Sequence, residues 1–142
     1  MNAAIAIIDQ TNREQIERFG AAIEEVASGA EMKRAIFEQH VLNTQSILVH
    51  MWQVTGAFAI REENPENAST WWKQYVDLCD LALNILRIAR EKFTECGTSE
   101  LYNLALDYRN EADCRYRENL RDAEWVKTLQ SDKELQSLIG SS

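Results

Sequence analysis

Histidine and cysteine are the residue types in this chain best suited to bind a metal ion or to act as nucleophiles. The two histidines, His40 and His50, lie ten positions apart, about 15 Å along one helix, which is too far to share a metal ion. A di-iron site in a helical bundle needs Glu-x-x-His pairs, whereas Glu38 precedes His40 by only two positions. We therefore expect neither a metal site nor a bound cofactor.

The three cysteines, Cys79, Cys96 and Cys114, are odd in number and widely spaced. Without a Cys-x-x-Cys pair they predict neither a disulfide framework nor a zinc site, and three unpaired thiols are typical of the reducing cytoplasm. The sequence also contains no phosphate-binding glycine loop and no Gly-x-Ser-x-Gly nucleophile motif. These observations favour a cytoplasmic, non-enzymatic protein over an enzyme.

Arg34 and His40 stand in Arg-x5-His spacing, which resembles the motif of HEPN-type ribonucleases, a family of small all-helical dimers. The resemblance implies that Arg34 and His40 bind and cleave RNA at a dimer cleft. It covers seven residues of the chain, and the pattern lies on the second helix, whereas that family usually carries it on a late one. A HEPN-like ribonuclease is therefore an alternative function for this protein.

The composition predicts a single all-α domain over residues 1–142. Hydrophobic residues make up 45% of the chain and charged residues 27%, as in ordinary globular proteins. Only five glycines and one proline are present, which leaves room for long helices and few turns. Because the loops between such helices are short, we expect an antiparallel four-helix bundle of long helices.

Helix signals place the first two helices. The first helix ends before Gly29, and it begins either near residue 3 or at the capping pattern formed by Thr11 and Glu14; both starts remain open. Its apolar residues recur at helical spacing and predict a buried stripe of Ile16, Phe19, Ile23 and Val26. The second helix is expected over about residues 30–62.

An acidic loop around Pro65 is expected to separate the second and third helices, because proline disfavours helix at the residue before it. The third helix then starts at Ser69 or Thr70 and runs to Cys96, and the fourth covers about residues 98–130. Ser131 with Glu134 forms another capping pattern, which predicts a short fifth helix over about residues 132–139 as an addition to the bundle.

The second helix contains a long stretch without formal charge. Residues 39–60 include no Asp, Glu, Lys or Arg, although solvated helix faces normally carry such residues. The polar residues of the stretch recur at spacings of 4, 3, 4 and 3 and so share one face; they are Gln39, Asn43, Ser46, His50 and Gln53.

Three interpretations of this polar ladder remain open. The first is a core helix whose polar groups bond to the backbone or to one another. The second is a self-association interface in which neutral polar side chains fix the register between like subunits. The third is the wall of a small-molecule pocket formed by Asn43, His50, Trp52 and Trp72.

The net charge of −8 opposes binding to nucleic acid and to anionic membranes, and no segment approaches the about 20 apolar residues of a membrane span. The leading hypothesis is a non-enzymatic protein–protein interaction module (adaptor, inhibitor or immunity-type protein). It self-associates through the polar ladder, with Trp52 and Phe58 as anchors. The acidic loop is a candidate contact for a basic partner, and a small-molecule-binding bundle is the alternative.

Overall fold

The computed structural model describes residues 3–27, 29, 31–92 and 98–140. Over these residues the chain forms four helices and no strand: α1 (Ala3–Ala27), α2 (Arg34–Arg61), α3 (Pro65–Lys92) and α4 (Thr98–Gly140). The prediction of an all-α chain with four long helices is confirmed. The expected end of the third helix near Cys96 lies outside the described residues.

Of the two starts that the sequence allows for the first helix, the structure has the earlier one. Helix α1 begins at Ala3, and Thr11 lies inside it. The turn after α1 uses Gly29 as predicted, with a φ of 103°, in the left-handed region that glycine enters without steric cost. The second helix begins at Arg34, four residues later than expected.

The predicted start of the third helix at Ser69 or Thr70 is wrong. The helix begins at Pro65, and the side chain of Asn64 caps it: Asn64 Oδ1 accepts a hydrogen bond from the Glu66 backbone N–H at 2.9 Å. Proline suits the first helical position because its missing N–H has no partner there anyway. The hydroxyls of Ser69 and Thr70 instead donate to the Glu66 carbonyl within the helix, at 2.7 and 3.1 Å.

A separate fifth helix is not present, because α4 continues without interruption from Thr98 to Gly140. Ser131 and Glu134 lie inside this 43-residue helix, and both are exposed. Their capping pattern therefore does not start a new element.

Helix α3 is the centre of the molecule, since it contacts each of the other three helices. Among the described residues, no Cα of α1 comes within 8 Å of a Cα of α4. The predicted stripe of α1 is buried at Ile16, Phe19 and Ile23, whereas Val26 is half-buried. Gly20 allows a close approach to α3, because a Cβ built there would lie 3.0 Å from Ile85 Cδ1.

Contacts between α3 and α4 run in opposite order along the two helices. From the start of α3 onward, the Lys73 Nζ lies 5.8 Å from the ring centre of Tyr116, Asp80 pairs with Arg109 at 3.0 Å, and Arg90 lies 4.2 Å from the ring centre of Tyr102. The part of α4 near Tyr116 therefore lies beside the first turns of α3, and α4 continues from there to Gly140.

Candidate interaction surface on α2

The polar ladder predicted on α2 is on the protein surface. All five of its residues are exposed, and Gln39 donates a hydrogen bond to Asn43 Oδ1 at 2.9 Å along the helix. The buried residues of α2 lie on the opposite side of the helix and include Phe37, Leu48 and Met51. The ladder is therefore not part of the core, which removes the first of the three interpretations.

Apolar residues lie beside the ladder on the same surface. Leu42 is 57% exposed and Ile60 is 83% exposed, and Val49 is half-buried between them. At 3.6 residues per turn, these three lie within about 20° of one another around the helix. We call the combined surface the outer face of α2: Gln39, Leu42, Asn43, Ser46, Val49, His50, Gln53, Ala57 and Ile60.

The outer face has an apolar edge and a polar edge. Leu42, Val49 and Ile60 form the apolar edge, while Asn43 and His50 lie about 100° around the helix from it. A shallow, open depression of about 360 Å³ crosses the middle of the face, lined by Leu42, Gln45, Ser46, Val49, His50 and Gln53. The sequence pattern identified the polar edge but not the apolar residues beside it.

Trp52 lies on another side of α2, in contact with α3 and α4. Its ring centre is 5.3 Å from that of Trp72, 5.7 Å from Tyr75 and 5.1 Å from Tyr108, on which it stacks. The Arg115 guanidinium lies 5.3 Å from the Trp52 ring centre and 5.2 Å from that of Trp72. This geometry favours cation–π attraction, which stabilises the junction of the three helices.

The four residues of the predicted small-molecule pocket are not brought together. Trp72 is 2% exposed within the helix junction, and Trp52 packs against it, whereas Asn43 and His50 are exposed on the outer face of α2. Asn43 and Trp52 point in opposite directions around the helix, about 180° apart. No single cavity can therefore be lined by all four side chains.

Phe58, the second predicted anchor, packs toward α3. Its ring meets that of Trp71 edge to face, with centres 5.5 Å apart, and 37% of the residue is exposed. Phe58 and Trp71 border a cavity of about 20 Å³ between α1, α2 and α3. This volume suits about one water molecule, so it does not accommodate a small organic ligand.

Arg34 and His40 do not form a common site. Arg34 Nε pairs with Glu38 Oε1 at 2.9 Å at the exposed start of α2. The His40 ring stacks on Phe19 of α1, with centres 5.3 Å apart, and its partial burial lowers the pKa of His40 below 6.5. The two side chains lie about 120° apart around the helix, which does not favour joint binding of one phosphate group.

The cysteines within the described residues differ in environment. Cys114 is exposed, while Cys79 is buried in α3. Burial raises the pKa of Cys79 to about 12, so its thiol stays protonated and weakly nucleophilic at neutral pH. Burial likewise raises the pKa of Tyr75, whose hydroxyl donates to the Leu48 carbonyl at 2.9 Å.

Comparison with known proteins finds no family model, no curated protein and no solved structure that matches this chain. Across the helices as far as they are described, no segment has the length and apolar character needed to cross a membrane. Residues 3–27, 29, 31–92 and 98–140 also hold no group of three or more metal-ligating side chains placed around one point.

Proposed function

We propose that this protein is a non-enzymatic protein–protein interaction module that self-associates through the outer face of α2, and that its helices form an antiparallel bundle. The observation that carries the proposal is an exposed helix face that has no formal charge over residues 39–60 in a chain of net charge −8. Solvated faces ordinarily carry charge, so this face has the composition of a surface that is covered.

Electrostatics identifies the outer face of α2 as the surface on which a second copy of the chain meets the least repulsion. Two copies of charge −8 repel each other, and the repulsion is weakest where the facing surfaces contain no carboxylates. The outer face of α2 meets this condition over about 33 Å of helix. The face comprises only the nine residues named above, whereas a standard stable interface has about 20–30 residues a side, so we expect a weak, reversible dimer.

An antiparallel pairing of the two copies of α2 fits the arrangement of the face. Its centre falls at Val49 and His50, so a two-fold axis there aligns Ser46 of one copy with Gln53 of the other. The apolar edges then meet on one side, with Leu42 level with Ala57 of the other copy and about one helical turn from its Ile60, while Asn43 and His50 line the other side. Isologous contacts of this kind are the usual form of small homodimers.

The contacts between the other helices support the bundle. Between α2 and α3, Leu48 contacts Tyr75 and Phe58 contacts Trp71. These contacts run in opposite order along the two helices, as the contacts between α3 and α4 do. From α1 to α2, Phe19 meets Phe37 near the start of α2, and Asp9 lies near Phe58 at its end. These contacts support an antiparallel arrangement of each consecutive pair of helices, which short loops favour.

A charge placed in the centre of the outer face tests the proposal. Ser46→Glu puts a carboxylate against the uncharged Gln53 of the other copy, about 10 Å along the helices from the second introduced carboxylate. Because burying a charge without a partner is unfavourable, we expect the dissociation constant to rise by at least about tenfold, or about 1.4 kcal/mol. Asn103→Glu is the matched control, because Asn103 is exposed on α4. Sedimentation velocity at several concentrations measures both variants. A wild-type protein that stays monomeric at all of them contradicts the proposal, as does a Ser46→Glu variant that dimerises normally.

A further inference from the structure

A second apolar surface lies on α4, near the start of α3. Trp125 is 63% exposed, Val126 41% and Leu129 42%, and they span about 100° of the helix circumference. We call these three residues the α4 patch. Burial of large apolar side chains is favourable, so a tryptophan exposed to this extent lacks a stabilisation that a bound partner would supply.

A groove lies directly beside the α4 patch. One wall consists of Glu63, Asn64, Pro65 and Glu66, and the other of Ala123, Val126, Lys127 and Gln130, around a volume of about 300 Å³. Beyond Gln130, α4 continues for ten residues to Gly140, about 15 Å. The described side chains of this extension are exposed, so the groove and the patch together offer an open helical surface.

The charge around the groove is predominantly acidic. Glu63 and Glu66 are exposed, and none of the ion pairs found between described side chains includes either of them. Asp122 precedes Trp125 by less than one helical turn. Lys127 lies on the opposite wall from the two glutamates and offsets only part of their charge.

We propose that the α4 patch and this groove dock a basic amphipathic helix of a partner protein. The apolar side of such a helix covers Trp125, Val126 and Leu129, and its lysine or arginine side chains reach the carboxylates of Glu63 and Glu66. A second copy of this chain has a net charge of −8 and is repelled by these carboxylates, as is an anionic membrane. The proposal does not depend on self-association through α2, since the α4 patch and the groove are formed by α4 and residues 63–66.

Binding of a defined peptide tests this proposal. The probe is a fluorescently labelled 18-residue helical peptide with leucine on one face and lysine on the other; its control carries glutamate in place of lysine. We expect fluorescence anisotropy to show binding of the lysine peptide only. Trp125→Ala should weaken binding by at least about tenfold, in line with the loss of a central aromatic anchor, and Glu63→Lys with Glu66→Lys should do the same.

A matched charge control separates docking from general attraction. Glu17→Lys with Glu25→Lys changes the net charge equally at two exposed positions of α1, and we expect it to weaken binding by less than about threefold. Absence of peptide binding, equal losses in both charge variants, or equal binding of the glutamate peptide overturns the proposal. The proposal is also overturned if Trp125→Ala alters the solution mass and leaves peptide binding unchanged, because the α4 patch would then bind a second copy of the chain and not a basic helix.

Discussion

Replacing Gly20 by alanine is expected to destabilise the protein, whereas the same replacement at Gly56 is expected to stabilise it. Both glycines lie inside helices, α1 and α2. A Cβ at Gly20 would lie 3.0 Å from Ile85 Cδ1 and 3.2 Å from Ile85 Cγ1, so α3 or the Ile85 side chain must move. A Cβ at Gly56 meets its nearest neighbour, Trp72 Cη2, at the ordinary distance of 3.9 Å.

The magnitudes follow from two opposing contributions. Alanine in a helix interior is about 1 kcal/mol more favourable than glycine, and at Gly56 nothing offsets this gain. At Gly20, forcing an extra methyl group into a filled space costs about 1–3 kcal/mol. We therefore expect a gain of about 1 kcal/mol in the free energy of unfolding for Gly56→Ala, and a loss of about 1 kcal/mol for Gly20→Ala.

Urea unfolding followed by circular dichroism at 222 nm measures both changes. All variants are compared at one protein concentration, because self-association shifts apparent stability, and the denaturant slope should stay constant. Ile85→Val removes the Cδ1 atom that the new methyl group meets, so it should reduce the loss caused by Gly20→Ala. If Gly20→Ala stabilises the protein as much as Gly56→Ala does, the close approach of α1 and α3 is refuted.

Three further predictions concern polar groups that are buried or partly buried. Tyr75→Phe removes the hydrogen bond to the Leu48 carbonyl and should lower the free energy of unfolding by about 1 kcal/mol in the same urea assay. Because burial raises the pKa of Cys79 from 9.0 to about 12, the unfolded thiol ionises first and stability should fall as the pH rises above 9. Cys79→Ala should weaken that fall, and at pH 8 a thiol reagent should label Cys114 but not Cys79 in the folded protein. Burial lowers the pKa of His40 from 6.5, so the unfolded state takes up the proton first and stability should fall as the pH drops through 6.5; an unchanged acid response in His40→Phe contradicts this.

The helices and much of the core could be predicted because their apolar residues recur with one period. Ile16, Phe19 and Ile23 stand out against charged neighbours, so the sequence alone identifies the buried side of α1, and the structure confirms it. Helix boundaries are less predictable, since the same residues serve several local roles. Asn64 with Pro65 forms a helix start although the pair also suits a loop, and Ser131 lies inside a continuous helix.

The orientation of α2 could not be predicted from the sequence. Apolar residues occur on every side of this helix, so hydrophobic periodicity does not distinguish the side that faces the core. Leu42 and Ile60 are exposed, while Thr44 is buried and satisfies its hydroxyl by donating to the His40 carbonyl at 2.8 Å. The position of Trp52 against α3 and α4 likewise depends on partners that are distant in sequence, Trp72 and Tyr108.

The most direct test of the central claim is the solution mass by light scattering over a dilution series from about 1 µM to about 500 µM, a range suited to a weak dimer. The wild-type protein should rise from the 16.3 kDa of one chain toward twice that mass as concentration increases. His50→Glu, which places a carboxylate near the proposed two-fold axis, should remain a folded monomer throughout. A wild-type protein that stays at 16.3 kDa over the whole range would contradict self-association through α2.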